Sequence, residues 1–283
     1  MIHYRTRDKL STLAFLLPAL LLLVVFRYGA LIFTGAISFF DYDMLGGSRF
    51  VGLANYARAA DYARFWWSLV KVARFAAEYI AGGLVIGLVL ALLLEAKLRF
   101  RGLFQTLFFI PMVLSVAVVA WVFRLLLAEM GIGILNDPRW AMEGVALMSL
   151  WQNLGYFILI YIAGLSSIDP VLYESAEIDG AGHLRRAWHV TVPLLRPVIL
   201  FLSITALIEA FQLFGIILVL TPYGETAGGP EGALETPLLL IYRQTFEYQK
   251  MGYGAALSLV LFAVILAVTL IQGKFGRLGK EAA

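Results

Sequence analysis

The 283-residue chain has no cysteine and only three histidines, His3, His183 and His189. Without thiols there can be no disulfide framework, thiolate metal site or cysteine nucleophile. Three histidines that all flank apolar runs suit solvated loops and leave no imidazole cluster for a buried metal centre. Charge is also scarce: Asp, Glu, Lys and Arg make up 14% of the chain, against about 25% in soluble domains. The formal net charge is only +3, and no basic stripe marks a nucleic-acid partner. No G-x-x-x-x-G-K-[ST] pattern occurs. Gly273-Lys274 and Gly279-Lys280 lack both the first glycine and the hydroxyl, so the chain does not cradle nucleotide phosphates by that route. There is no internal repeat or low-complexity stretch.

What is abundant is apolar surface: 61% of residues are hydrophobic, and the mean hydropathy is +0.85. Soluble domains run nearer 45–50% apolar. A bilayer core about 30 Å thick requires runs of roughly 20 apolar residues, and six such runs can be marked. They lie near 10–37, 69–94, 103–127, 145–165, 198–220 and 253–272. The expected fold is an all-α integral membrane protein of six transmembrane helices, forming one domain over 1–283. Arg27 interrupts the first run, which allows a tilt or an interfacial end. The basic start (Arg5, Arg7, Lys9) would also suit a cleaved signal peptide, but the apolar run continues past Arg27 without a small-x-small cleavage site.

Cytoplasmic loops are enriched in Lys and Arg. Twelve basic residues fall at the N-terminus (Arg5, Arg7, Lys9), the second-to-third link (Lys97, Arg99, Arg101), the fourth-to-fifth link (Arg185, Arg186, Arg196) and the tail (Lys274, Arg277, Lys280). The opposite loops hold six: Arg49, Arg58, Arg64, Arg139, Arg243 and Lys250. Both termini are therefore expected on the cytoplasmic side. The outer loops carry turn chemistry at Gly46-Gly47, Asn136-Asp137-Pro138 and Gly228-Gly229-Pro230. Phe65, Trp66 and Trp67 sit where an aromatic belt belongs.

Within the fourth-to-fifth link, 166–197, lies the polar run YESAEIDGAGHLRRAWHVTVPLLRP, Tyr173 to Pro197. Asp169-Pro170 predicts a helix start, with Asp as cap and Pro in the first helical position. The helix should run to about Asp179, where Gly180 and Gly182 break it. Ala176 and Gly180, four residues apart, leave a small-residue strip for close approach by another backbone. Asp179 is placed to cap a second short helix, with Arg185, Arg186 and His189 in its last turn. Pro193 would stop that helix and Pro197 open the next span. A solvated loop whose acids answer its own bases is the bland alternative; the ordered glycines and prolines favour a shaped bracket.

This run resembles the cytoplasmic EAA signature of binding-protein-dependent ABC importer permeases: E-A-A, D-G-A, an aromatic, an aliphatic and Pro. Here the matching residues are Glu174-Ser175-Ala176, Asp179-Gly180-Ala181, Trp188, Val190 and Pro193, with Ser175 for Ala and Trp188 for Phe as departures. Arg101-Gly102-Leu103-Phe104 with Phe109-Ile110-Pro111 resembles the third-span start of the sugar-type members. Thr226-Ala227-Gly228-Gly229-Pro230, Glu235-Thr236 and Ile241-Tyr242-Arg243 resemble their last outer loop, and 253–270 their last span. The maltose and glycerol-3-phosphate type is the nearest pattern, apart from an apparent insertion at Pro222–Glu225. The resemblance implies a type I importer permease subunit in a prokaryotic inner membrane, not itself an enzyme. It implies that Glu174, Ser175, Ala176, Asp179, Gly180, Ala181 and Pro193 dock on an ATPase. The implied partners are a second homologous permease, two ATP-binding subunits that hold ATP and Mg, and an external binding protein. The cargo would be a carbohydrate or related polyol; this chain would bind no cofactor, metal or nucleic acid, and its remaining surroundings would be lipid.

Charges inside spans are costly and mark function. Glu209 lies halfway along the fifth run, with Thr205 and Gln212 on its helical face. Trp151, Gln152, Asn153 and Tyr156 in the fourth run combine amides with aromatic rings. That pairing suits sugars, whose hydroxyls need hydrogen bonds and whose C–H faces need rings. Hydrogen bonding to neighbouring spans is the equal alternative. Lys71, Arg74 with Glu78, and Arg124 lie nearer span ends, where snorkelling or structural pairing is expected. Two other classes were weighed. A secondary transporter or channel would show intramembrane charge chains or a repeat. An intramembrane serine protease would show a G-x-S-x-G-like nucleophile and a histidine at membrane depth. Neither pattern is present.

Overall fold

The computed structural model describes residues 12, 15–43, 47–95, 101–221 and 228–281. Outside the described residues fall His3, Arg5, Arg7, Lys9, Gly46, Lys97, Arg99, the Pro222–Glu225 insertion, Thr226 and Ala227. In chain order the helices are α1 (Phe15–Ile37), α2 (Ala54–Ala60), α3 (Ala63–Glu95), α4 (Arg101–Val113), α5 (Val116–Glu129) and α6 (Ala141–Leu165). They continue with α7 (Pro170–Ile178), α8 (His183–Arg186), α9 (Arg196–Phe211), α10 (Gly215–Leu220), α11 (Pro237–Tyr242) and α12 (Met251–Glu281). Strands β1 (Phe40–Asp43) and β2 (Gly47–Phe50) form one antiparallel hairpin.

Five segments are long and apolar enough to cross a membrane singly: α1, α3, α6, α9 with α10, and the Met251–Lys274 part of α12. The third run differs from the straight span expected over 103–127. It is two helices, α4 and α5, bent by 101° at Leu114 and Ser115, and counting the pair as one span gives six. The fifth run breaks as well, at Gln212–Phe214 between α9 and α10. In α1 the helix absorbs Arg27 by widening into a π-helical turn over Val24–Gly29. Helix α3 begins at Ala63, well before the expected 69. Aromatic and β-branched residues in its first turns continue the same helical repeat.

The chain forms two compact units, 1–63 with 241–262, and 64–240 with 263–283. In the first, Asp41 pairs with Arg49 across the hairpin. The rings of Phe40 and Phe50 meet edge to face at 5.3 Å. Buried Asn55 donates to the carbonyls of Ser38 and Phe40, both at 2.9 Å, so the turn into the hairpin leaves no orphan acceptors. Arg58 lies 4.7 Å above the Tyr253 ring, a cation–π contact.

The second unit is packed through small residues. In lipid, helices associate by close van der Waals contact rather than by escape from water, which favours glycine at interfaces. Gly83 and Gly87, four apart on α3, receive Phe157 of α6, and a Cβ at Gly87 would lie 2.7 Å from the Phe157 Cβ. On the opposite side of α6, Gly155 meets α4, where a Cβ would come 2.5 Å from the Phe108 carbonyl oxygen. Because backbone cannot yield as a flexible side chain can, Gly155→Ala should destabilise the fold by about 1–3 kcal/mol. Gly102→Ala, with nothing within 4 Å of the added carbon, should be neutral. Thermal unfolding of the detergent-purified variants checks the contrast, and equal melting temperatures would refute it.

Candidate functional sites: a projecting bracket and a polar cavity

The bracket follows α6 directly. Asp169 caps α7 by accepting from the Val171 N–H at 3.0 Å, with Pro170 in the first turn. The helix ends at Ile178, and Asp179 is its C-terminal cap, not the start of the second helix as expected. The reason is a two-bond helix stop. The Gly180 N–H bonds to the Glu177 carbonyl at 3.0 Å and the Ala181 N–H to the Ala176 carbonyl at 2.9 Å, the pattern known as a Schellman motif. Gly180 sits at φ 78° with nothing within 4 Å of a built Cβ. Its role is therefore backbone conformation, not close approach. Gly182 begins α8, which widens into a π-helical turn over Ala187–Thr191 and continues through Val192–Leu194. Pro193 thus lies within a helical turn instead of ending the helix at that point, and Leu195 leads straight into α9.

Two contacts stiffen the elbow. Arg186 bonds Glu177 at 2.9 Å across it, while the Tyr173 and Thr191 hydroxyls meet at 3.1 Å. Ser175 is occupied locally, donating to the Val171 carbonyl at 2.8 Å. Glu174, Ser175, Asp179 and Gly180 are exposed, and Ala176, Ala181 and Pro193 partly so. Beside them Ile178, Leu184 and Trp188 present 87%, 76% and 65% of their surface. Apolar side chains clustered on a rigid polar bracket make an interaction surface.

The second site lies among α3, α5, α6 and α9. Tyr79 of α3 is stacked on Phe75 at 5.7 Å and held edge-on by Phe157 at 5.8 Å. Its hydroxyl donates to Glu209 Oε2 at 3.0 Å. Glu209 is in the last turn of α9, just before the break at Gln212. The bend between α4 and α5 arrives at the same place. Buried Gln152 donates to the Leu114 carbonyl at 3.3 Å, filling an acceptor that the bend frees. Asn153 donates to Ser149 of its own helix at 3.1 Å. The Ser149 hydroxyl is buried without a partner. Tyr79, Ser149, Gln152, Asn153, Glu209 and Gln212 line a cavity of about 180 Å³. The ion pairs among the described residues do not include Glu209. Irregular backbone inside a membrane is tolerated where it lines a cavity or is buried in protein.

The structure therefore brings Asn153, Glu209 and Gln212 together. Trp151 lies outside the cavity, 47% exposed and 6.4 Å from Phe123, and Tyr156 packs on Phe157 at 6.3 Å. Thr205 bonds back to Phe201 and Leu202 of its own helix. Sequence reasoning missed Tyr79 and Ser149. The phenol stands four residues after Phe75 in a run of aromatics, and only its tertiary partner distinguishes it. Of the residues near span ends, Arg74 pairs with Glu78 at 3.1 Å and also with Glu143 of α6.

Apolar spans around a broken-helix cavity, with a two-helix bracket carried between two of them, define a membrane transport subunit. The chain belongs to the family described as binding-protein-dependent transport system inner membrane component, whose model matches residues 83–278. It is a multi-pass inner membrane permease subunit. The chain is 32% identical to the sulfoquinovosyl glycerol transport system permease protein SmoG of Agrobacterium fabrum, over 93% of this chain and 89% of that one. It is 30% identical to the trehalose/maltose transport system permease protein MalF of Thermococcus litoralis, over 94% and 93%. Its fold matches a subunit of a bacterial alginate ABC transporter in complex with an alginate pentasaccharide-bound periplasmic protein. The TM-score there is 0.80 at 22% identity, covering 96% of this chain and 95% of that one.

Alanine at position 180 would force a side chain into the left-handed region at a cost of about 1 kcal/mol. Gly180→Ala should raise amide hydrogen exchange in the bracket, over 176–183, while α6 and α9 keep wild-type protection. Unchanged exchange in the bracket would show that the elbow does not depend on this glycine.

Proposed function

We propose that the chain is one of two permease subunits of an ATP-driven importer for a carbohydrate or related polyol, and that it forms a single membrane domain with both termini cytoplasmic. The bracket carries this reading. Its exposed Glu174, the small strip Ser175-Ala176, and Ile178, Leu184 and Trp188 form a rigid knob on α6 and α9, suited to a groove on a separate ATP-binding subunit. ATP and Mg reside on two such subunits. Closure of the ATPase pair pushes the bracket, and α9 moves with it because Leu195 joins the two without a linker. The same helix carries Glu209 and the break beyond it.

Cargo chemistry follows from the cavity. A carboxylate, two amides and two hydroxyls offer the donors and acceptors that sugar hydroxyls require. Its volume of about 180 Å³ is below the roughly 300 Å³ at which ligand pockets begin. Glu209 and Gln212 are both exposed, so the second permease completes the chamber from their open side. The relatives named for sulfoquinovosyl glycerol and for trehalose and maltose support this substrate class.

Two substitutions separate docking from cargo handling in the reconstituted four-subunit complex. Glu174→Lys should leave the chain in the membrane but abolish substrate-dependent ATP hydrolysis, since a reversed charge at a partly desolvated contact costs several kcal/mol. Glu209→Gln and Tyr79→Phe should keep assembly and basal hydrolysis while lowering transport about tenfold, and Glu209→Leu should be worse. Failure of Glu209→Gln to assemble would mark that carboxylate as interhelical glue. Wild-type coupling in Glu174→Lys would remove the bracket from the mechanism.

Orientation has a direct check because the chain contains no cysteine. Single cysteines at Asp137 and Gly228 should react with an impermeant maleimide added outside, whereas one at Ser175 should not. Labelling of position 175 from outside would invert the topology.

A further inference from the structure

At the end of α3 remote from the bracket, Arg64 and Lys71 hold down the turn 228–236. Arg64 ion-pairs with Glu235, whose side chain is only 6% exposed against 64% for the arginine. Lys71, two turns along the same face, donates to the Gly232 carbonyl at 2.7 Å. The turn is closed internally by Leu234 N–H to Gly228 O at 2.7 Å and Glu235 N–H to Gly232 O at 3.0 Å. Glu235 fits against the bare backbone of two glycines, since a Cβ at Gly228 would lie 2.6 Å from its Cγ and one at Gly232 3.0 Å from its Oε2. Exposed Glu231 is held at φ 51°, a backbone strain that persists only where surrounding structure enforces it.

Beside this turn is a cavity of about 550 Å³ lined by Arg64, Trp67, Lys71, Glu231 and Glu235. The Trp67 side chain stands 66% exposed at its edge. Arg64, Trp67 and Lys71 follow one helical face at i, i+3 and i+7. Helix α3 has 33 residues, about 50 Å at 1.5 Å per residue, against a hydrocarbon core of about 30 Å. All its basic residues lie between Arg64 and Arg74, and Ile80–Leu94 carries no charge. The basic end therefore stands clear of the core, on the side opposite the bracket.

We propose that this depression is the surface on which the extracytoplasmic binding protein docks, with Trp67 and Glu231 as contacts and Arg64, Lys71 and Glu235 as the positioning residues that hold the turn. The proposal rests on the import reading above: if the bracket meets the ATPase, the opposite end meets the donor of the cargo. The chemistry fits a protein partner. An exposed tryptophan and an arginine flank a recess of the size of one or two side chains, with charges of both signs at the rim, and Trp and Arg dominate interface energetics. The carboxylate buried beneath Arg64 makes the brace costly to break, because removing the guanidinium strands an uncompensated charge.

The complex reconstituted in vesicles, with the binding protein encoded beside it, provides the test. A benzophenone maleimide on Trp67→Cys or Glu231→Cys should crosslink to the substrate-loaded binding protein. Crosslinks only to the second permease, only to lipid, or to nothing would overturn the proposal. Arg64→Gln should raise the concentration of loaded binding protein giving half-maximal ATPase stimulation about tenfold, with the basal rate within twofold and Arg64→Lys intermediate. Loss of basal and stimulated rates in equal proportion would make the brace merely structural and would also overturn it. If Arg64→Gln fails to assemble, Trp67→Ala, whose ring is exposed, takes the same measurement, and an unchanged half-maximum then refutes the surface. A wild-type complex that no binding protein stimulates would instead refute the import reading itself.

Discussion

Hydrocarbon offers no hydrogen bonds, and that single deficiency organises this chain. Any polar group placed between the spans must find protein or water, so each one that persists there has a visible reason. The bend at Leu114 frees a carbonyl, and Gln152 is buried at the right depth to donate to it. Glu209 cannot be solvated by lipid, and a phenol clamped between two aromatic rings is aimed at it. The same deficiency makes the Ser149 hydroxyl informative. A buried hydroxyl without a protein partner, in a cavity lined by amides and a carboxylate, is a group held for water or cargo.

Close packing sets those polar groups in place. With no gain from burying apolar surface against apolar lipid, α3 and α6 associate through shape, and the glycines at 83 and 87 let the ring of Phe157 enter the α3 surface. That ring is also the edge-on support of Tyr79. The position of the phenol, and hence of the Glu209 contact, is fixed by two missing side chains one and two turns away. A bulky residue at either glycine would move the donor as well as loosen the interface. Packing and site geometry are here one property.

The spans and the bracket were legible in the sequence because each rests on a local signal. Apolar runs of sufficient length, the Asp169-Pro170 start and the Gly180 stop are all readable within a few residues of where they act. The bracket's details were less so. Asp179 carries the composition of an N-cap, but the two Schellman bonds through Gly180 and Ala181 engage its neighbours first and leave it closing α7. The 101° bend was invisible for a different reason. Pro111 suggests a weak point, yet the break falls three residues later, where Gln152 of another helix supplies the missing donor. Composition in the third run alone cannot announce a stabilising group in the fourth. Of the cavity, Glu209 announced itself by its cost at membrane depth. Tyr79 and Ser149 acquire meaning only from tertiary neighbours, whereas Trp151 and Tyr156 had the right chemistry on other faces of their helix.

The surface that remains open follows from the same constraint. Glu209 and Gln212 are exposed in the isolated chain, and Arg74 keeps 62% of its side chain exposed although it pairs with Glu78 and Glu143. None of these can face acyl chains at acceptable cost. The apolar window of α1, by contrast, has no residue buried within the chain, and lipid or a protein partner satisfies it equally. The two kinds of exposure therefore call for different coverings. The polar side needs a water-filled or protein-lined chamber, and the small volume of the cavity leaves most of that chamber to be built by another chain. A permease subunit of this form is half of a solvent-accessible path, and its own polar half marks where the other must stand.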